Sequence, residues 1–238
     1  MKNDSSVLVV HNLVKSFTLH NQGGAILPVL ANLNFEARPG ECLALRGPSG
    51  TGKSTALRLI YGNYKTLGGQ ILVAEDGDSR RFINIATASP RDVLRLRAGT
   101  IGYVSQFLRA IPRVGAIDIV AEPLMMAGTD ADLARARAAD LLMRLNIPER
   151  LWSLPPATFS GGEQQRINIA RGLIRDLPLL LLDEPTAALD RENREVVIDL
   201  ISEARKRGAS IIGIFHDEEV RDAVATRTLA LAPLETAA

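Results

Sequence analysis

The spacing of apolar residues changes several times along the chain, and each change marks an element. Val7-Leu8-Val9-Val10 is a short apolar run that predicts a strand. Residues Ala31 to Ala37 alternate apolar and polar, the pattern of a strand with one buried and one wet face. Asn21-Gln22-Gly23-Gly24 forms a turn between them. Arg38-Pro39-Gly40 turns the chain into Glu41 to Arg46, readable as a buried strand, and a helix follows from Ala56 to Tyr61. Gln70 to Ala74 and Arg81 to Ile85 read as two strands of a hairpin, joined through Asp76-Gly77.

Farther on, Ser89 and Pro90 suit the N-cap and first position of a helix. Thr100 to Ser105 predicts another strand. From about Phe107 to Thr158 the character shifts. Ala131 to Leu145 is rich in Ala and Leu, with Leu133, Leu141, Leu142 and Leu145 at helical spacings; Pro148 stops it and Pro155-Pro156 makes a stiff connection. This stretch reads as a helical lobe inserted into an α/β core. Beyond it, Ser160 opens a helix that places Ile167, Ala170 and Ile174 on one face. Leu179 to Leu182 is a continuous apolar run, as in a strand buried on both faces. A helix from about Arg191 to Arg207 stops at Gly208, and Ser210 to Phe215 reads as the last clear core strand.

Composition narrows the function classes. The 238 residues suffice for one large domain or a core with a small lobe, and 46% apolar with 23% charged is ordinary for a globular chain. The net charge of +1, with scattered Lys and Arg, argues against a nucleic-acid partner and against bulk attraction to anionic lipid. Cys42 is the single cysteine, which rules out an intramolecular disulfide and a cysteine zinc site. Met1 to Ser6 lacks the apolar core of a signal peptide, and no apolar run approaches the roughly 20 residues of a membrane helix. A cytoplasmic location without membrane insertion is the expectation.

The chemistry begins at Gly47-Pro48-Ser49-Gly50-Thr51-Gly52-Lys53-Ser54-Thr55, a phosphate-binding P-loop between a strand and a helix. Its glycines let backbone N–H groups turn inward toward an anion, and the following helix adds its positive end. Lys53 can reach the β- and γ-phosphates, and Ser54 can ligate Mg²⁺. Asp183 and Glu184 end the apolar run from Leu179. A bare acid there is costly unless it faces a metal or a partner, so Asp183 suits Mg²⁺ through water. Glu184, one step out, suits positioning or deprotonating an attacking water. Gln106 sits at a strand end, where α/β folds place their sites. His216 leaves the strand parallel to the acidic one and can face the same γ-phosphate or serve as a structural cap. Ser160 to Glu163 matches a capping box, and Gly161 and Gly162 also expose N–H groups that can meet a phosphate. Phe17 either stacks on a base or packs inward.

Together these pieces resemble the nucleotide-binding domain of the ABC ATPase superfamily. The order matches over nearly the whole chain: P-loop, Gln106, Ser160-Gly161-Gly162-Glu163-Gln164, Leu179 to Glu184, Ala188-Leu189-Asp190 and His216. The resemblance implies a single ABC ATP-binding domain over 1–238. Its α/β core is a P-loop NTPase fold with an antiparallel β subdomain (1–106 and 159–238), and its helical subdomain covers 107–158. It implies ATP and Mg²⁺ as cofactors and hydrolysis by a head-to-tail dimer, with itself or a related ABC subunit. Phe17 would stack on adenine, where Tyr is commoner, and Gly47 to Thr55 would hold the phosphates. Lys53 belongs to the catalytic set with Glu184 as base, His216 at the γ-phosphate and Gln106. Ser54, Gln106 and Asp183 would meet the metal. Ser160, Gly161 and Gly162 would close over ATP of the other subunit, while Glu163 departs from the usual Gln.

A narrower similarity is to the PhnL-type ABC subunits of the bacterial carbon–phosphorus lyase system. It rests on Gln106 to Arg113, Leu145 to Trp152, Phe159 to Arg166 and Gly213 to Glu218. It implies work with the soluble carbon–phosphorus lyase core complex in phosphonate catabolism, on the route to ribose 1-methylphosphonate 5-triphosphate. That partner would dock near Phe107 to Arg113. The competing expectation is the ATPase subunit of a membrane transporter of the lipoprotein- or macrolide-export type, whose signature is similar. A chromosome-organising ATPase fits poorly, for there is no long heptad insertion.

Overall fold

The computed structural model describes residues 6–108 and 113–234. Two sheets organise it. The first is antiparallel and contains β1 (Leu8–Leu19), β2 (Ala25–Ala37), β4 (Gly68–Glu75) and β5 (Asp78–Asn84), in the order β2-β1-β4-β5. The second is parallel and contains β3 (Cys42–Arg46), β6 (Ile101–Val104), β7 (Leu179–Asp183), β8 (Ser210–Ile214) and β9 (Arg227–Ala230), in the order β6-β7-β8-β3-β9. Every residue of β7 and β8 is buried, as their unbroken apolar runs require. Three helices of the core, α1 (Lys53–Ile60), α5 (Gly161–Leu173) and α6 (Arg191–Lys206), follow β3, the inserted helices and β7 in the chain.

Between β6 and α5 the chain forms α3 (Ala116–Met126) and α4 (Ala131–Arg144). The buried face of α4 is Ala134, Ala138 and Leu142, continuing to Leu145. Leu133, expected on that face, is exposed. Small alanines in i, i+4 register let α4 lie close to its neighbours, so the bulkier leucines do not define the stripe. The lobe is tied to the core by Arg166 on α5, which donates to Leu145 O (2.9 Å), Asn146 O (2.7 Å) and Asn193 Oδ1 (3.2 Å). It thereby satisfies carbonyls that the end of α4 leaves open.

Several elements differ from the sequence expectation. β1 continues nine residues beyond Val10. Its alternation is broken by register shifts between Val10 and Ser16, where Asn12 has φ 48°. α3 holds Pro123 in its interior, which reads as a helix breaker. A further strand, β9, follows Ser210–Ile214 and was not expected. It lies at the sheet edge with mostly exposed residues and lacks an apolar run. Short α7 (Glu218–Val224) precedes it, capped by Asp217, which accepts from Glu219 N and Val220 N. An α2 helix (Pro90–Gly99) begins as expected, with Ser89 accepting from Asp92 N and Pro90 in the first turn. Among the described residues, no helix is long and apolar enough to cross a membrane.

Candidate functional site

β3 delivers the chain into the P-loop and α1 takes it away. Gly47 and Gly52 are dictated by space: a Cβ on Gly47 would stand 2.4 Å from Leu231 O, and one on Gly52 2.7 Å from the Leu30 side chain. Both have positive φ, as does Gly50, where the space for a Cβ is open. Thr51 Oγ1 donates to Pro48 O at 2.9 Å and holds the loop closed. Lys53 Nζ donates to Gly47 O (2.7 Å) and Pro48 O (2.8 Å), so its ammonium lies along the loop. No side chain caps the N-terminus of α1. Its first N–H groups are therefore free of side-chain competition, which fits a phosphate. Ser49, Gly50 and Thr55 complete the segment.

Ser54 Oγ donates to Asp183 Oδ1 at 2.8 Å, bringing α1 and the end of β7 together. The other carboxylate oxygen accepts from Tyr103 Oη at 3.1 Å. Asp183 is fully buried. Burial raises its pKa, opposed by the hydrogen bonds from Ser54 and Tyr103. The Tyr103 hydroxyl is itself pushed up, first by burial and then by the charge of Asp183, so it remains a donor. Among the described residues, no group of three or more His, Cys, Asp or Glu forms a metal cluster. A hydroxyl and one carboxylate nevertheless fit Mg²⁺, which keeps several waters and takes the remainder from phosphate oxygens.

Glu184 follows at the exit of β7. Its φ is 55°, an uncommon conformation for a residue other than Gly or Asn. Glu184 N donates to Ile214 O at 3.1 Å, which pins that backbone to β8. Its carboxylate is contacted from both sides: Gln106 Nε2 donates to Oε2 at 3.1 Å, and His216 Nε2 lies 2.7 Å from Oε1. Below it, Gln165 Nε2 donates to Pro185 O at 3.1 Å. Gln106, Asp183, Glu184 and His216 thus share one cluster with the P-loop through Ser54.

The signature segment is placed differently. Ser160 Oγ and N donate to Glu163 Oε2 at 2.7 and 2.8 Å, and Glu163 N returns a bond to Ser160 Oγ at 3.3 Å. This is a complete capping box. The bonds from Ser160 hold the Glu163 carboxyl below its ordinary pKa. Gly161 has open space around it, while a Cβ on Gly162 would meet Ala188 O at 3.0 Å. Among the described residues, no hydrogen bond joins Ser160, Gly161 or Gly162 to the P-loop of the same chain. Phe17, on β1 opposite Leu27, meets Tyr64 edge-on at 5.4 Å, with Lys15 Nζ 4.6 Å from its ring centre. It is half-buried, with part of the ring packed and part exposed. Of the expected docking string, Arg109 to Pro112 lie outside the described residues; Phe107 is 73% exposed. Tyr103, Gln165 and Arg166 were not singled out from sequence as parts of the site or its supports. Tyr103 sits inside an apolar strand pattern, and nothing local announces the carboxylate its hydroxyl meets.

The P-loop, the carboxylate pair at the end of β7 and the capped glycines of α5 define an ABC-type nucleotide-binding domain. The ABC transporter family profile matches residues 30–187, and the chain belongs to that family. It is 38% identical over 215 residues to the lipoprotein-releasing system ATP-binding protein LolD of Novosphingobium aromaticivorans, covering 90% of this chain and 91% of that one. It is 37% identical over 205 residues to the macrolide export ATP-binding/permease protein MacB of Brucella abortus. That match takes in 86% of this chain but only 30% of MacB. Among solved structures, the dimeric post-hydrolysis ATP-binding cassette MJ0796 bound to ADP and Pi superposes with a TM-score of 0.84 at 29% identity, over 94% of each chain. A second dimeric structure of MJ0796, a bacterial ABC transporter cassette, gives 0.85 at 28%, covering 96% of this chain and 97% of that one.

These relatives correct one expectation. They are ATP-binding proteins of export and lipoprotein-release systems, not of phosphonate catabolism, and the assignment to the carbon–phosphorus lyase complex falls. One string that suggested it, Leu145 to Trp152, has structural duties. Leu145 is fully buried, Asn146 has φ 53° and bonds Asn193, and Trp152 Nε1 donates to Ile147 O. Trp152 holds the end of the lobe together, and Asn146 ties it to α6.

Proposed function

We propose that this chain is the ATPase subunit of a membrane transporter of the lipoprotein-releasing or macrolide-export type. The observation that carries the catalytic half is the convergence of Gln106 and His216 on the Glu184 carboxylate, within one cluster with Ser54 and Asp183. Phe17 would stack on adenine. The P-loop from Gly47 to Thr55 would cradle the phosphates, with Lys53 turning its ammonium from the loop carbonyls to the β- and γ-oxygens. Ser54, Asp183 and Gln106 would hold Mg²⁺, which supplies charge neutralisation for the departing diphosphate. Glu184 would take the proton of the water that attacks the γ-phosphorus, and His216 would fix the orientation of that base.

Two copies would act head to tail. Among the described residues, Ser160, Gly161 and Gly162 make no hydrogen bond to their own P-loop, and they are proposed to close over the γ-phosphate held by the second subunit. Glu163 would set how readily the Ser160 hydroxyl turns from its cap to that phosphate. The dimeric arrangement of MJ0796 supports this reading.

The transport half is supported by the names and lengths of the relatives. LolD matches 90% of this chain over 91% of its own length, and MacB, named as an ATP-binding/permease protein, matches it over only 30% of its length. A permease on a separate chain would hold this subunit at the cytoplasmic face. A groove of about 480 Å³ between α2, α3, α5 and β6 suits a segment of that permease, since it combines exposed Leu94 and Met126 with Arg97 and Glu122. The test is detergent extraction of membranes from cells expressing the tagged chain, followed by identification of what purifies with it. Recovery with an integral membrane permease, and ATPase activity stimulated by that permease, is the expected result. A chain found wholly apart from membrane proteins, with no such stimulation, would overturn the proposal.

A further inference from the structure

Tyr103 stands between two sites. Its hydroxyl donates to Asp183 Oδ2 at 3.1 Å, while Ser54 Oγ donates to Oδ1 at 2.8 Å. The rotation of a carboxylate about its last torsion is broad and roughly two-fold. Hydroxyl donors on opposite oxygens remove that freedom. In a fully buried side chain each such bond counts, because an oxygen left without a donor suffers the whole cost of desolvation.

The ring of Tyr103 faces elsewhere. It lies 4.8 Å from the ring of Tyr61, tilted by 38°. The guanidinium of Arg97 covers Tyr61 at 4.2 Å and Nε donates to Tyr61 O at 2.9 Å. Tyr103, Tyr61 and Arg97 all line the groove that also takes Leu94 and Met126. One side chain therefore touches the Asp183 carboxylate with its oxygen and the groove wall with its ring.

We propose that Tyr103 is a positioning residue, whose hydroxyl fixes the Asp183 carboxylate for the metal and whose ring makes that fix sensitive to the groove wall. The proposal rests on the reading of Asp183 as a metal-facing acid. A rigid aromatic has few ways to move: a displacement of its ring at Tyr61 tilts the C–O bond at the far end. Partners of this outer kind commonly change metal affinity by about 10- to 100-fold when removed.

Tyr103→Phe keeps the ring and the stack on Tyr61 and deletes the O–H. The experiment uses the whole chain and a fluorescent ADP analogue, so no turnover is involved. Mg²⁺ is titrated and the concentration giving half-maximal tightening of nucleotide is read. The variant should need about tenfold more Mg²⁺ or above, with the loss confined to the metal-dependent part of binding. Arg97→Ala, which uncovers Tyr61 but leaves the hydroxyl in place, should shift the requirement in the same direction by a smaller factor. A wild-type Mg²⁺ requirement in Tyr103→Phe overturns the proposal, and a wild-type requirement in Arg97→Ala overturns its groove half. Asp183→Asn, measured in parallel, separates the levels: if it retains full Mg²⁺-dependent tightening, the metal reading of Asp183 is what fails.

Discussion

His216 Nε2 lies 2.7 Å from Glu184 Oε1. With Gln106 on the other oxygen, the carboxylate is held in one orientation at the edge of the nucleotide site. A base positioned this way should dominate turnover and contribute little to binding. Glu184→Gln retains the shape and loses the proton acceptor. Its phosphate release should fall by at least about 100-fold, with nucleotide affinity kept and an ATP-dependent dimer accumulating by light scattering. A variant that stays monomeric and hydrolyses normally removes Glu184 from the mechanism.

His216→Ala tests the orienting contact by itself. Loss of one of two restraints should lower kcat by up to about 100-fold while the dissociation constant for ATP stays near that of the parent. A change in affinity alone, with kcat intact, would place His216 in binding instead.

Lys53→Ala removes the charge that now lies on Gly47 O and Pro48 O. Charge-assisted bonds to phosphate are worth about 1.5–3 kcal/mol, so calorimetry should show ATP binding weaker by roughly ten- to a hundredfold. Unchanged affinity would mean that the ammonium never leaves the loop.

Cys42 is fully buried in β3, and burial pushes its thiol from 9.0 to about 12. The folded state holds this proton more tightly than the unfolded chain. The contribution is therefore fully present below about pH 9 and is lost as the pH rises toward 12. Thiol reagents should leave the native protein unmodified at pH 8 and label it on addition of denaturant. Cys42→Ala should show a shallower alkaline loss of stability in urea titrations at successive pH values.

Gly213 in β8 faces the ring of Phe215, and a Cβ there would stand 2.3 Å from it. Phe215 is itself buried and has little room to retreat. Gly213→Ala should therefore destabilise by about 1–3 kcal/mol, read as a lower urea midpoint. Stability equal to the parent would mean that the strand end repacks without strain.

Much of this was legible before any coordinates. The P-loop, the acids closing the Leu179 run and the Ser160 capping box are local patterns, each written in adjacent residues, and the structure places them where their spacing suggests. The antiparallel sheet was legible in part, because bulges near Asn12 conceal the length of β1. What local pattern does not encode is contact across the fold. Tyr103 meets Asp183 only through the pairing of β6 with β7, and Arg166 finds Leu145 and Asn193 only after α4, α5 and α6 have packed. The partner was misread for a related reason. Leu145 to Trp152 looks distinctive as a string, yet Leu145, Asn146, Ile147 and Trp152 in it hold the lobe in place.

The left-handed backbone at Glu184 sets two kinds of selection against each other. An Asn or Gly would accept φ 55° at lower cost than Glu, so the conformation strains the very residue proposed as the base. Relieving that strain and discarding the base are then the same substitution. A library of this chain screened only for heat resistance should enrich Asn and Gly at position 184, and its sturdiest members should bind ATP without hydrolysing it. Thermostability engineering here would have to hold that one codon fixed and look for its gains elsewhere.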